Sequence, residues 1–294
     1  MNTLKEASAA FVHETAAVRR LSVHTVEAYR RDLEILQNAL PMPLTDITPQ
    51  NMRHLLATQH GMSPASTARR LSTWRLFFNY LLKTGDIRNN PAHSLRAPKK
   101  QGRLPRALTP DKTAFLLNDD TGSGWLKWRD DAMFELLYST GLRVGEMTAL
   151  NVSDISAGMV HVQRGKGGRG RVVPAGTVAQ KALSCWLTAR ASAANHNETA
   201  LFVNRRGGRL NVRTVQQRLS TRAARLGMAG QVSPHVLRHS CASHFLQSSG
   251  DLRATQDLLG HRDITSTQIY TRLDFQNLAK TYDLAHPRAK KKAH

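Results

Sequence analysis

The sequence is poor in the residues that disulfide-bonded, zinc-binding and membrane proteins need. Only two of its 294 residues are cysteines, Cys185 and Cys241, so neither a disulfide framework nor a cysteine-rich zinc site is expected. No apolar run approaches the roughly 18 residues of a membrane-spanning helix. The first twenty residues contain Glu6 and Glu14 and lack the apolar stretch of a secretory signal. Without a GxxxxGK[ST] or HExxH motif, neither an ATP-driven motor nor a helical zinc site is predicted. These absences favour a cytoplasmic protein that uses no metal and no nucleotide.

Acidic residues are also scarce relative to basic ones. The chain has 42 Lys and Arg against 21 Asp and Glu, a formal net charge of +21. The excess is not confined to a tail, because residues 1–107 hold 16 basic and 7 acidic residues and residues 108–294 hold 26 and 14. Hydrophobic residues make up 40%, which is enough for packed cores. Phosphate neutralisation drives binding to nucleic acid, so double-stranded DNA is the predicted partner. An anionic membrane surface is the lesser alternative.

A basic segment rich in helix breakers divides the chain. Residues 91–107, PAHSLRAPKKQGRLPRA, contain three prolines and a glycine, and no acidic residue lies between Asp86 and Asp111. We therefore predict a DNA-binding domain at 1–90, a basic linker at 91–107 and a second domain at 108–294. The linker is either solvated or lies along a DNA backbone, and in the second case Lys99 and Lys100 are candidate DNA contacts.

The first part is predicted to be entirely helical. Ser22 is a predicted N-cap, and Thr48-Pro49 and Ser63-Pro64 are typical helix starts. In the helix after Ser63, the aromatic residues and leucines are expected in the core. Three arginines lie nearer the other face, where they either contact DNA phosphates or are simply solvated: Arg69, Arg70 and Arg75.

The second part is predicted to be mostly helical with a small β-sheet, which makes the whole protein mainly α. Helix starts are predicted at Thr109, Ser233 and Asp251, and Gly260 is a predicted C-cap. A β-hairpin is predicted from 159–163 and 171–173, which flank a glycine-rich turn with Lys166. A further helix is predicted at 211–226, and its Arg213 is another candidate DNA contact.

Four short segments carry chemically active residues, each a weak signal alone. They are TGLRVGE at 140–146, RGKGGRG at 164–170, SPHVLRH at 233–239 and LLGH at 258–261, with Tyr270 nine residues later. Together they supply what the transesterification of a phosphodiester needs without metal. Guanidinium groups neutralise the charge that builds on phosphorus, and a tyrosine hydroxyl can attack it. A histidine can accept the tyrosine proton, and a lysine can protonate the leaving 5′ oxygen.

This set resembles the signature of the tyrosine recombinase (phage integrase) family, R…K…HxxR…H/W…Y, in the same order. The matching stretches are GLRVGE, RGKGGRGRVVP, PHVLRHSCASHFL, LLGH and IYTRL. LSVHTVEAYRRDL and STARRLSTWRLFFNYLL resemble the helical core-binding domain of that family. The resemblance covers nearly the whole chain, and it assigns six catalytic positions: Arg143, Lys166, His235, Arg238, His261 and Tyr270.

The resemblance also implies a role for each position. Two arginines, Arg143 and Arg238, would bind the scissile phosphate, with Glu146 supporting the first of them and His261 hydrogen-bonding the phosphate. Tyr270 would form a 3′-phosphotyrosyl bond. The remaining two positions would move protons: His235 as general base and Lys166 as general acid. Because the phosphotyrosine conserves the bond energy, no cofactor, metal or ATP is implied.

Within the family, the short length and the ending YDLAHPRAKKKAH look most like the recombinases that resolve chromosome dimers. Such proteins act at a dif-type site through a Holliday junction, in a heterotetramer with a sister recombinase and under an FtsK-type translocase. This implies a cytoplasmic, nucleoid-associated protein. The alternatives are an integrase or resolvase of a mobile element, a type IB topoisomerase, and a catalytically inactive DNA-binding protein. Residues 275–286 read as an amphipathic helix that packs on its own domain or, as the resemblance favours, into a neighbouring subunit.

Overall fold

The computed structural model describes residues 3–18, 21, 23–59, 61–97, 107–163, 170–260, 281–282 and 285–288. The chain forms two compact units, Met1–Arg103 and Leu104–His294. The domain limits at 90 and 107 stay predictions. None of the helices in the described residues has the length and apolar character needed to cross a membrane.

The first unit is helical wherever it is described, apart from short turns. Its four α-helices are α1 (Leu4–Ala17), α2 (Val23–Ala39), α3 (Pro49–Ala57) and α4 (Pro64–Thr84). The caps predicted for α3 and α4 are confirmed: the Thr48 hydroxyl accepts a hydrogen bond from the Asn51 N–H at 3.2 Å, and the Ser63 hydroxyl accepts one from the Ser66 N–H at 3.1 Å. The predicted cap Ser22 lies outside the described residues.

The core of the first unit is built on the apolar face of α4. Trp74, Phe77 and Phe78 are fully buried there, as the spacing of the aromatic residues predicts. The indole N–H of Trp74 donates to the backbone carbonyl of Asp32 at 2.8 Å, so this large side chain leaves no polar atom unsatisfied in the core. Each such aromatic ring contributes on the order of 2 kcal/mol through the apolar surface it buries.

The second unit combines seven α-helices of the described residues with one small sheet. They are α5 (Pro110–Leu117), α6 (Trp125–Thr140), α7 (Val144–Ala149), α8 (Thr177–Ala193), α9 (Val212–Arg225), α10 (Pro234–Ser249) and α11 (Leu252–Leu259). Helix α6 is central, because it is buried along most of its length and packs against both α8 and α10. Its last residue is Thr140, and its C-cap Gly141 lies in the first signature segment.

The second unit has a small sheet whose strands flank the second signature segment in the sequence. It has three antiparallel strands in the order β1 (Ile155–Ser156), β2 (Met159–Val162) and β3 (Arg171–Pro174). In the predicted hairpin, Val160 pairs with Val173 and Val162 pairs with Arg171. The turn with Lys166 lies outside the described residues. Arg171 is the first residue of β3.

The C-terminal segment is described only in part. Tyr282 is completely buried in its own unit. Its hydroxyl donates to the carbonyl of Ser139 at 2.9 Å, and its ring stacks on His286 with centroids 4.6 Å apart. The described part of this segment therefore packs on its own unit, and packing of the segment into a neighbouring subunit stays a prediction. Leu278 and Leu284 lie outside the described residues.

Candidate active site

Arg238 joins three of the signature segments. It lies on the buried face of α10, which begins after Ser233 because the Ser233 hydroxyl accepts a hydrogen bond from the Val236 N–H at 3.2 Å. The Arg238 side chain is only 7% exposed. Its guanidinium donates to the carbonyl of Leu259 at 2.8 Å and to the carbonyl of Gly141. The ends of α6, α10 and α11 are thus held together by one cation.

This cation is buried beside other charges. Burial lowers the pKa of Arg238, the nearby Arg143 lowers it further, and Glu146 opposes the shift, so the pKa falls to about 10. Arg238 remains protonated at neutral pH. A positive charge held by backbone carbonyls in a poorly solvated place attracts an anion more strongly than a solvated arginine would.

Gly141 allows this close approach. Its φ is +60°, in the left-handed region that favours glycine. A Cβ at this position would lie 2.9 Å from Cδ2 of Leu259 and 3.3 Å from the sulfur of Cys241. Both the backbone conformation and the packing therefore require glycine, and the chain turns sharply from α6 into Arg143.

Arg143 is the N-cap residue of α7, and Glu146 holds it. The Glu146 carboxylate accepts a hydrogen bond from the Arg143 backbone N–H at 2.8 Å and from Nη1 of its guanidinium at 3.1 Å. The Arg143 side chain is nevertheless 53% exposed. The contact expected between Glu146 and Arg143 is present, and about half of the Arg143 side chain stays exposed.

Sequence reasoning missed Arg171. Its guanidinium makes two hydrogen bonds to Glu146, Nη1 to Oε1 and Nη2 to Oε2, both at 2.9 Å. The Arg171 side chain is buried, and it packs so closely on Gly260 that a Cβ there would lie 3.0 Å from Cδ of Arg171. The available signal was a charged residue in a short strand that otherwise reads Val-Val-Pro.

Glu146 is ionised because of these arginines. Burial raises the pKa of its carboxyl, but the hydrogen bonds from Arg171 and from the Arg143 backbone, together with both positive charges, lower it to about 2. The carboxylate is therefore a fixed negative charge between two arginines.

The six predicted catalytic residues divide into two groups. Arg143, His235 and Arg238 are described, and His235 is exposed near the start of α10, three residues before Arg238. Residues three apart share one side of a helix, so the start of α10 carries both His235 and Arg238. The other three predicted residues lie outside the described residues: Lys166, His261 and Tyr270.

The candidate DNA contacts of the first unit have partners inside that unit. Arg69 and Arg70 pair with the buried carboxylate of Asp32, and Arg69 remains half exposed. The Arg75 guanidinium donates to the backbone carbonyls of Ala92 and Leu95. Contact of these arginines with DNA stays a prediction, and Arg69 has the most surface free for it. Arg213 is exposed near the start of α9, and Lys99 and Lys100 lie outside the described residues.

Comparison with known proteins decides the family. Residues 106–277 match the model of the phage integrase family, and residues 9–85 match the phage integrase N-terminal SAM-like domain. The chain belongs to the phage integrase family of tyrosine recombinases. As a member of this tyrosine recombinase family, it is a DNA strand-transferring enzyme that acts in site-specific recombination.

Individual relatives of this tyrosine recombinase match along nearly their full length. It is 49% identical to the tyrosine recombinase XerC of Chromobacterium violaceum, over 98% of this chain and 97% of the relative. It is 48% identical to XerC of Pseudomonas savastanoi, over 93% of each chain. The crystal structure of a lambda integrase tetramer bound to a Holliday junction is similar with a TM-score of 0.70 and 22% identity, covering 92% of this chain and 81% of that one. The predicted fold class, mainly α with a small β-sheet, is confirmed.

Proposed function

We propose that this recombinase resolves chromosome dimers by cutting and rejoining double-stranded DNA at a dif-type site. The proposal is supported by the high identity to relatives named XerC along nearly the whole chain. The reaction proceeds through a 3′-phosphotyrosyl intermediate, which conserves the energy of the phosphodiester bond and makes the step reversible.

The contacts of Arg238 are the observation that carries the chemistry. Its buried guanidinium is fixed by the carbonyls of Gly141 and Leu259, and it lies close enough to Arg143 for the two charges to affect each other. Two guanidinium groups preorganised in this way suit the two non-bridging oxygens of one phosphodiester, whose charge grows in the transition state. We assign the scissile phosphate to this pair.

The proton transfers and the nucleophile follow from the same arrangement. Tyr270 attacks phosphorus, and His235, exposed at the start of α10 beside the phosphate, accepts its proton. Lys166, which lies between β2 and β3 in the sequence, protonates the leaving 5′ oxygen. His261 follows Gly260, at the end of α11 that Arg238 holds, and it hydrogen-bonds the phosphate.

The protein acts with partners in the proposed reaction. It binds one half of the site and forms a heterotetramer with a sister recombinase of the XerD type, which exchanges the second pair of strands through a Holliday junction. The lambda integrase tetramer on such a junction supports this assembly. An FtsK-type translocase controls which pair is active, and the reaction takes place on the nucleoid in the cytoplasm.

The test is covalent capture of the protein on a nicked suicide substrate with a dif-type site. Wild type forms an adduct that survives denaturation, and Tyr270→Phe forms none while its affinity for DNA is unchanged. Tyr80→Phe, which removes a tyrosine hydroxyl from the first unit, is the matched control and keeps full adduct formation. Adducts that persist in Tyr270→Phe would overturn the assignment of the nucleophile. Relaxation of supercoiled plasmids without site dependence would point to a topoisomerase instead.

A further inference from the structure

Arg171 binds the carboxylate of Glu146, which would otherwise pair with Arg143 alone. Both oxygens of Glu146 accept hydrogen bonds from Arg171 at 2.9 Å, in the two-pronged geometry that makes arginine–carboxylate pairs strong. The Arg143 guanidinium has one hydrogen bond to the same carboxylate, at 3.1 Å. The carboxylate thus accepts from both Nη atoms of the buried arginine but from only one Nη of the exposed arginine, whose backbone N–H also donates to it at 2.8 Å.

The charges of Arg143, Glu146 and Arg171 show why the sharing of the carboxylate between the two arginines matters. Arg143 and Glu146 alone would form a neutral pair, and a free carboxylate next to a half-exposed guanidinium would rotate to bind it with both oxygens. With Arg171 added, the three groups carry a net charge of +1, and the surplus lies on the exposed member. We propose that Arg171 is a positioning residue that keeps Glu146 from sequestering Arg143, so that the Arg143 guanidinium stays available to the scissile phosphate. This inference rests on the proposed function of Arg143.

The position of Arg171 in the fold fits this role. It is the first residue of β3, five residues after Lys166, and it packs on Gly260, which directly precedes His261. Its contacts therefore link α7, the β-hairpin and the end of α11.

The test compares single and double variants in single-turnover cleavage of the suicide substrate at saturating DNA. Arg171→Met frees the carboxylate to capture Arg143, and we expect cleavage to slow by about 30-fold, as small displacements of catalytic groups do. Glu146→Gln removes the capturing charge and is expected to slow cleavage by less than about tenfold. The double variant is expected to be at least about fivefold faster than Arg171→Met, since it lacks the carboxylate. Because an unpaired buried carboxylate also lowers stability, the rates are compared at equal fractions of folded protein, measured by urea titration.

The control is Arg218→Met. Asp130 lies between Arg129 and Arg218 as Glu146 lies between two arginines, and Arg218 Nε is 2.5 Å from its carboxylate. Asp130 precedes Gly141 by 11 residues along α6, which places it roughly 16 Å away along the helix axis. Loss of this pair should leave the cleavage rate unchanged. A double variant as slow as Arg171→Met, or an Arg171→Met enzyme as fast as Arg218→Met, would overturn the inference.

A second measurement separates this inference from the proposed function. Phenylglyoxal modifies accessible arginines, and mass spectrometry reports the modification of Arg143 without any need for DNA cleavage. We expect modification of Arg143 to slow at least about threefold in Arg171→Met and to recover in the double variant, because an arginine bound by two carboxylate oxygens is less available. Equal rates in all variants would refute the role of Arg171. Missing adducts in the wild type, with this pattern intact, would refute only the assigned reaction.

Discussion

Replacing Gly260 by alanine tests the packing that positions Arg171. Gly260 and Gly250 end the neighbouring helices α11 and α10, and each has a φ of +65°. Their surroundings differ. A Cβ at Gly250 meets no atom within 4 Å, whereas a Cβ at Gly260 would lie 3.0 Å from Cδ and 3.1 Å from Nε of Arg171. Gly250→Ala therefore isolates the backbone cost that both substitutions share.

The expected magnitudes follow from this difference. An alanine in the left-handed region costs roughly 1–2 kcal/mol, so Gly250→Ala should lower the free energy of unfolding by about that amount. Gly260→Ala places a methyl group against the buried side chain of Arg171, whose guanidinium makes two hydrogen bonds to Glu146. This overpacking typically costs about 1–3 kcal/mol in addition to the backbone cost. The Arg171 guanidinium must also shift relative to the Glu146 carboxylate. We expect the cleavage rate of Gly260→Ala to fall by about tenfold or more, and that of Gly250→Ala to stay unchanged.

Urea titrations of both variants give the free energies of unfolding, and adduct formation on the suicide substrate gives the rates. The difference between the two variants, rather than either value alone, measures the contact with Arg171. If both variants lose the same stability to within about 0.5 kcal/mol and cleave DNA at the same rate, the packing argument fails.

Two further predictions concern buried charge. Asp32→Ala removes the buried acceptor shared by Arg69 and Thr73, and we expect it to lower the free energy of unfolding of the first unit by about 3 kcal/mol. Glu27→Gln, which breaks an exposed pair with Arg30, is the control and should lower that free energy by less than about 0.5 kcal/mol in the same urea titration. The pKa of Glu146 is lowered from 4.5 to about 2 on folding, so its ionised form contributes about 3 kcal/mol that is fully present above pH 4.5 and is lost as the pH falls toward 2. Glu146→Gln should flatten the profile of unfolding free energy against pH in that window, and an unchanged profile would contradict the assignment.

Helix starts and the core were predictable because their causes are local. A hydroxyl followed by proline specifies the beginning of α3, α4 and α10 within a few residues, and the spacing of Trp74, Phe77 and Phe78 identifies the buried face of α4. The partners of arginines were not predictable. Arg75 donates to carbonyls of a later segment, and Arg70 pairs with Asp32 from another helix. Such contacts depend on how helices pack, and no short-range pattern encodes them.

The residues alone predicted the family, the helical class and six candidate catalytic positions, because the order R…K…HxxR…H…Y and the cap signals are written in short segments. Only the tertiary structure decided what each charge does. It places Arg238 on carbonyls from two distant segments, puts Arg171 opposite Glu146 across 25 positions of sequence, and buries Tyr282 in its own unit. A charge acts through its distance to other charges and through its burial, and both are set by the folded chain rather than by the order of residues.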